Sequence, residues 1–204
     1  MRAASAAGSD DRGSGRRSAA ATVTNAVEQP RFYYDFASPE SYLVAERALH
    51  ALGEVPEWIP VGVGSFGFRC AEEVASYQED VERRAAELGL MRLRWPSPFP
   101  AEDQSWALLA ATYAKWIGRG VAFSLAALRQ AFAAGRDLSL PDNVLIAAAA
   151  CEMHPNAVIK GVGLASTAKA LADANARAAA DGVTELPAIW TPGRVLSGER
   201  AIPA

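Results

Sequence analysis

Between residues 31 and 63 the chain changes periodicity twice, and this limits the folds open to it more than any other feature. Arg31-Phe32-Tyr33-Tyr34-Asp35-Phe36 is an aromatic-rich run of the kind that favours a pleated, half-buried strand. Ser38 then suits an N-cap, Pro39 the first helical position, where no N–H is needed, and Glu40 complements the positive end of the helix dipole. Tyr42, Ala45, Leu49 and Leu52 lay one apolar stripe along the helix until Gly53 stops it, and Glu57 to Val63 reads as a second strand. Strand, helix and strand at this spacing make a βαβ unit, which implies a parallel pair with a right-handed crossover. The fold class is therefore α/β.

Past this unit the period is helical. Val74, Tyr77, Val81, Ala85 and Leu88 form a stripe whose outer face carries Glu79 with Arg83 and Asp80 with Arg84, charges that read as a solvated face. Trp95-Pro96-Ser97-Pro98-Phe99-Pro100 is excluded from regular helix by its prolines. Helices follow around Trp106–Ile117, Val121–Phe132, Asp142–Glu152 and Leu164–Ala180, with His154-Pro155 at a helix end and Gly182 as a stop. Strand character returns at Pro187-Ala188-Ile189-Trp190, turns at Thr191-Pro192-Gly193 and continues through Arg194-Val195-Leu196, a hairpin signal. The order is βαβ, a block of helices, then ββ. It divides into a disordered tail over 1–30, an α/β domain over 31–65 and 182–204, and an inserted all-helical subdomain over 66–181.

Composition removes several function classes. A net charge of -3 and a pI near 5.5 leave no basic surplus for nucleic acid or an anionic membrane, and no apolar run is long enough to span a bilayer. Cys70 and Cys151 are too far apart for a Cys-x-x-Cys pair, and His50 and His154 give a metal site nothing to build on, so no metal is expected. No export signal follows Arg16-Arg17, and a cytoplasmic location is expected. Forty-four alanines, with 17 arginines against 3 lysines, point to GC-rich codons.

Two places could carry chemistry. Ser38 lies at a helix N-terminus, where unpaired N–H groups and a partial positive charge stabilise a carboxylate, phosphate or thiolate; the alternative is that it only caps its helix. Pro187 opens the closing strands. Trp95 and Phe99, on the Pro-rich loop, are candidates to line an apolar substrate pocket, and Cys151 in its alanine-rich helix reads as packing.

Phe32 to Leu43, with Ser38-Pro39-Glu40-Ser41 at its centre, resembles the opening of the kappa-class glutathione transferases and 2-hydroxychromene-2-carboxylate isomerases, a branch of the DsbA-like thioredoxin-fold proteins. Gly182 to Trp190, with Gly198-Glu199-Arg200, resembles their closing segment. The resemblance implies a thioredoxin-like fold with a helical insert and a homodimer. It implies that Ser38 holds the sulfur of glutathione, or of another low-molecular-weight thiol such as mycothiol, as a thiolate, with Ser41 in the second cysteine's place. It further implies that Leu186 and a cis Pro187 bind the thiol's peptide-like backbone, that Glu199 grips its α-amino group, that Gly198 stands by its carboxylate, and that Arg69 is the cationic contact. Phe36, Tyr42, Trp95 and Phe99 would face a small-molecule substrate. The activity implied is thiol-dependent cis–trans isomerisation of an unsaturated aromatic or pyruvate-like compound, the alternatives being thiol conjugation to an electrophile or a non-catalytic binding role. Glu40 stands where the family often has an aromatic residue, and its charge is expected to raise the thiol's pKa.

Overall fold

The computed structural model describes residues 28–62, 67–101, 103–198 and 201–202. The elements are β1 (Arg31–Tyr34), α1 (Pro39–Ala51), β2 (Glu57–Pro60), α2 (Ala71–Glu87), α3 (Ser105–Trp116), α4 (Gly120–Phe132), α5 (Pro141–Ala150), α6 (Pro155–Val162), α7 (Ala165–Ala180), β3 (Ala188–Thr191) and β4 (Arg194–Ser197). The strands form one sheet in the order β2-β1-β3-β4. β1 and β2 are parallel, as a βαβ unit requires, while β3 runs antiparallel to β1 and β4 antiparallel to β3.

The sheet is buried on both faces: every residue of β1 is buried rather than every other one, Arg31 included. Phe32, Tyr34, Trp58 and Ile189 point to one side, where they meet α1 and the buried residues of α3, α4 and α5 in one continuous core. Tyr33, Ile59, Val61 and Ala188 point to the other side and are covered by Ala174 and Ala178 of α7. α3 packs by its alanines: Ala107, Ala110, Ala111 and Ala114 are all fully buried, which brings α3 close to α4, α6 and α7.

The structure revises the sequence reading in four respects. α7, grouped with the insert, is the helix that covers the second face of the sheet, and the remaining insert helices share the core of β1 and α1 instead of enclosing one of their own. His154-Pro155 begins a helix rather than ending one: His154 Nδ1 accepts the Asn156 N–H at 3.2 Å and Pro155 takes the first position of α6. β2 stops at Pro60, which has no N–H to give; as β2 is an edge strand, this costs the sheet nothing. The charges of α2 are not all a solvated face, because Arg84 is only 22% exposed and reaches α1. Among the described residues no helix is long and apolar enough to cross a membrane.

Candidate functional site

One end of the sheet collects the segments that the sequence singles out. Tyr34 is paired with Pro60, and the Val61 N–H donates to the Tyr34 carbonyl at 2.9 Å, so β1 and β2 finish together. Tyr33 is paired with Ala188 in antiparallel register, which places Pro187 level with Tyr34 and Leu186 level with Asp35. Ser197 is opposite Ala188, and the Gly198 N–H donates to the Pro187 carbonyl at 2.7 Å, so β4 also ends here. The Leu186–Pro187 peptide bond is cis. α1 starts four residues beyond Asp35, with its N-terminus at this same end, where open α/β sheets commonly bind ligands.

Ser38 caps α1: its Oγ accepts the Ser41 N–H at 3.2 Å and donates to Glu40 Oε2 at 3.3 Å, and the residue is 4% exposed. Behind it lies Asp35, also 4% exposed. Asp35 Oδ1 accepts the Ser38 N–H at 3.1 Å and the Ser41 hydroxyl at 3.0 Å. Burial pushes the Asp35 carboxyl up to about 6, against the downward pull of hydrogen bonds from Ser41, the Ser38 backbone and Gln104. Gln104, from the residue before α3, also fixes the turn into the helix, its Oε1 accepting the Phe36 and Ala37 N–H groups at 2.7 and 3.1 Å.

Glu40 is not an unbalanced charge. Its Oε1 takes the Arg84 guanidinium at 3.1 Å and its Oε2 the Tyr77 hydroxyl at 2.5 Å, both from α2, and Arg84 also holds Asp80 at 3.0 Å. The like-charge penalty expected of Glu40 is therefore largely offset by Arg84. Burial and the neighbouring Glu40 carboxylate raise the Tyr77 phenol's pKa, keeping it a proton donor. Tyr77 and Arg84 escape a reading of the sequence because both sit in an ordinary amphipathic pattern, where seven residues bring them to one face without saying what that face meets.

The remaining expected residues fall into four groups. Trp95 and Phe99 are joined to the site through rings: Phe99 stacks on Tyr77 at 6.2 Å and meets Trp95 edge-on at 4.7 Å, and Phe68 adds a third ring 5.2 Å from Tyr77. Phe36 and Tyr42 do not present a substrate face. They are 2% and 1% exposed, with Phe36 edge-on to Tyr34 and Phe123 and Tyr42 against Phe132, because the inner side of α1 and its approach turns into the core. The Arg69 side chain is 86% exposed and gives its guanidinium to Glu73 at 2.6 and 2.9 Å. Glu199 lies outside the described residues.

The arrangement offers a helix N-terminus, a hydroxyl and a neutralised carboxylate, but no sulfur of its own. Cys70 is the N-cap residue of α2, and Cys151 is buried at the end of α5, where desolvation raises its thiol's pKa. An anion such as a thiolate fits the N-terminus of α1. Of the residues expected to hold glutathione, the Gly198 N–H is committed to Pro187 and Arg69 to Glu73.

No protein-family model matches the chain, and no curated protein matches it. Solved structures do. 2-Hydroxychromene-2-carboxylate isomerase aligns with a TM-score of 0.73 at 15% identity, over 83% of this chain and 88% of that one. A probable DsbA oxidoreductase from Streptomyces coelicolor gives 0.69 at 19% identity, covering 84% and 83%. The cytosolic disulfide reductase DsbM from Pseudomonas aeruginosa, solved with glutathione, gives 0.62 at 13%, covering 82% and 88%. The chain has the DsbA-like thioredoxin fold with a helical insertion.

Proposed function

We propose that this protein is a thiol-dependent isomerase: it binds a low-molecular-weight thiol with its sulfur at the N-terminus of α1, beside Ser38, and uses it to rotate a double bond in a small unsaturated aromatic or pyruvate-like compound. The observation that carries this reading is the sheet end, where Ser38 and Ser41 stand at the start of α1, at the same end of the sheet as Leu186 and Pro187. The similar solved structures include a 2-hydroxychromene-2-carboxylate isomerase and a disulfide reductase solved with glutathione, and this chain has serines where thiol exchange would need cysteines.

The chemistry needs no net oxidation. The thiolate attacks the conjugated carbon, a C–S bond forms, and the π pair moves onto the substrate's carbonyl oxygen. The former double bond rotates while single; the pair then returns, the C–S bond breaks and the thiolate is regenerated. Ser38 exchanges its 3.3 Å donation to Glu40 for one to the sulfur, Arg84 keeps Glu40 from repelling it, and the helix dipole favours the anion. Phe99, Trp95 and Tyr77 supply the aromatic side on which an apolar substrate rests.

A second reading, a non-catalytic binding protein, is favoured by the 4% exposure of Ser38 and its engagement with Glu40. Calorimetric titration with glutathione and mycothiol separates the two, run beside chromene-carboxylate isomerisation and chloroarene conjugation assays with and without each thiol. The isomerase reading expects one thiol to bind and turnover to require it. Ser38→Ala should then lower kcat about 10- to 100-fold, the equivalent of one hydrogen bond to a charged group. Conjugation without isomerisation would move the protein to the transferase reading, and no thiol binding or thiol-dependent turnover would leave the binding role.

A further inference from the structure

The proposed reaction leaves one buried carboxyl of the site, that of Asp35, without a part. Asp35 Oδ1 accepts the Ser38 N–H at 3.1 Å and the Ser41 hydroxyl at 3.0 Å, so this carboxyl lies behind the same helix N-terminus that would hold the sulfur. Its surroundings differ from those of Glu40. Glu40, on α1, is held by the Arg84 guanidinium and the Tyr77 hydroxyl of α2. Asp35 is held by neutral donors alone, Ser38 and Ser41 at the head of α1 and Gln104 before α3, while the charge of Glu40 acts on it with its own sign. Tyr77 brings no balancing charge, since burial and the Glu40 and Asp35 carboxylates keep its phenol protonated. Leu186, level with Asp35 across the sheet, brings none either.

A thiolate bound here is a second anion at one helix N-terminus. Because Asp35 Oδ1 is 3.1 Å from the Ser38 nitrogen, a sulfur that accepts from Ser38 Oγ lies within about 9 Å of it. At the effective dielectric of a protein site, repulsion over that distance amounts to a pKa shift of about 1–2. Of the two anions, Asp35 is the one buried without a cation, and burial already holds its proton up to about 6. A neighbouring thiolate moves that midpoint further up.

We propose that Asp35 and a sulfur bound at the N-terminus of α1 share one proton: as the thiol becomes a thiolate, Asp35 takes up the proton and holds it. This deepens the isomerase reading and rests on its sulfur site. The S–H bond breaks, an O–H bond forms on Asp35, and the pair carries one negative charge before and after. Asp35 is thus a positioning residue for charge: it lets a thiol be activated at neutral pH with no proton given up to solvent. Asp35→Asn removes this capacity and keeps an oxygen for the Ser38 N–H and the Ser41 hydroxyl.

The test places a sulfur at the site directly. Ser38→Cys introduces a thiol at the head of α1, and its rate of alkylation by iodoacetamide against pH, followed at that residue by peptide mass spectrometry, gives its titration midpoint. Adding Asp35→Asn should lower the midpoint by about 1–2, and an unchanged midpoint overturns the proposal. Carboxyl-carbon NMR of Ser38→Cys alone decides the matter even where the double variant does not fold. Asp35 should titrate in two steps, the second at the midpoint of the introduced thiol, and in one step once that thiol is alkylated; one step in both states overturns the proposal. In the protein with Ser38 in place, glutathione and mycothiol are titrated calorimetrically at neutral pH in buffers of different ionisation enthalpy. Asp35→Asn should release about one proton more per bound thiol than the unaltered protein, and equal release overturns the proposal. Absence of thiol binding would overturn the isomerase reading instead, and the introduced thiol then decides the proton sharing by itself.

Discussion

Asp35 couples the stability of this protein to pH in a direction opposite to most carboxylates. Its folded pKa is about 6 against an ordinary value of 3.8, because burial of the charged form outweighs the hydrogen bonds that favour it. A raised carboxyl pKa means that the folded state binds the proton more tightly than the unfolded state. The stabilisation is therefore complete below pH ~4 and is lost as pH rises through about 6. At 1.36 kcal/mol per unit, the two-unit difference corresponds to about 3 kcal/mol. Asp35→Asn cannot ionise, so subtracting its unfolding free energy from that of the unaltered protein isolates this one group. Urea denaturation between pH 4 and pH 8 should show the difference falling by about 3 kcal/mol, nearly all of it below pH 7. The absolute stability of the variant is a separate matter, because an amide nitrogen facing Gln104 loses one hydrogen bond. A difference that changes by less than about 1 kcal/mol across that range would refute the reasoning. So would a carboxyl-carbon NMR titration of the unaltered protein that placed the Asp35 midpoint near 4, a measurement that does not depend on the variant folding.

Two further expectations concern the frame that holds the site. A Cβ on Gly161 would lie 2.4 Å from the Tyr113 ring, so Gly161→Ala should cost about 1–3 kcal/mol by forcing α6 from α3. Gly163→Ala, whose nearest neighbour is 3.6 Å away, should be neutral or slightly stabilising; equal effects in urea denaturation would count against this account of the α3–α6 contact. Asp181 holds Arg31 with both oxygens at 3.0 and 2.8 Å and accepts the Tyr33 hydroxyl, tying the end of α7 to β1, while the Arg31 guanidinium lies 3.7 Å above the Trp190 ring. Asp181→Ala should cost about 3 kcal/mol by stranding a largely buried arginine; Arg31→Met combined with it should recover part of that loss, and strict additivity would show that the pair is not coupled.

The sheet and the start of the site were legible because their signals are local. The aromatic run of β1, Ser38-Pro39 at the head of α1 and Pro192-Gly193 in the closing hairpin each name a conformation by themselves, and Gly193 has the positive φ of +81° that such a turn uses. α6 was not legible, since eight residues beginning at His154-Pro155 carry the same proline signal as a helix end. Nor was the role of α7, because an alanine-rich helix looks the same whether it covers a sheet or another helix.

By itself the sequence determined the βαβ start, the helical middle, the ββ close and the absence of a dithiol, all properties of neighbouring residues or of residue counts. Only the tertiary structure decided that Glu40 is balanced by Arg84 and Tyr77, that Gln104 holds the turn before Ser38, that Asp35 is buried behind it, and that Phe36 and Tyr42 belong to the core. Their effect depends on what comes within 3 Å from elements far away in the chain. Charge, burial and hydrogen bonding act through space at that range, and no local pattern encodes the partner.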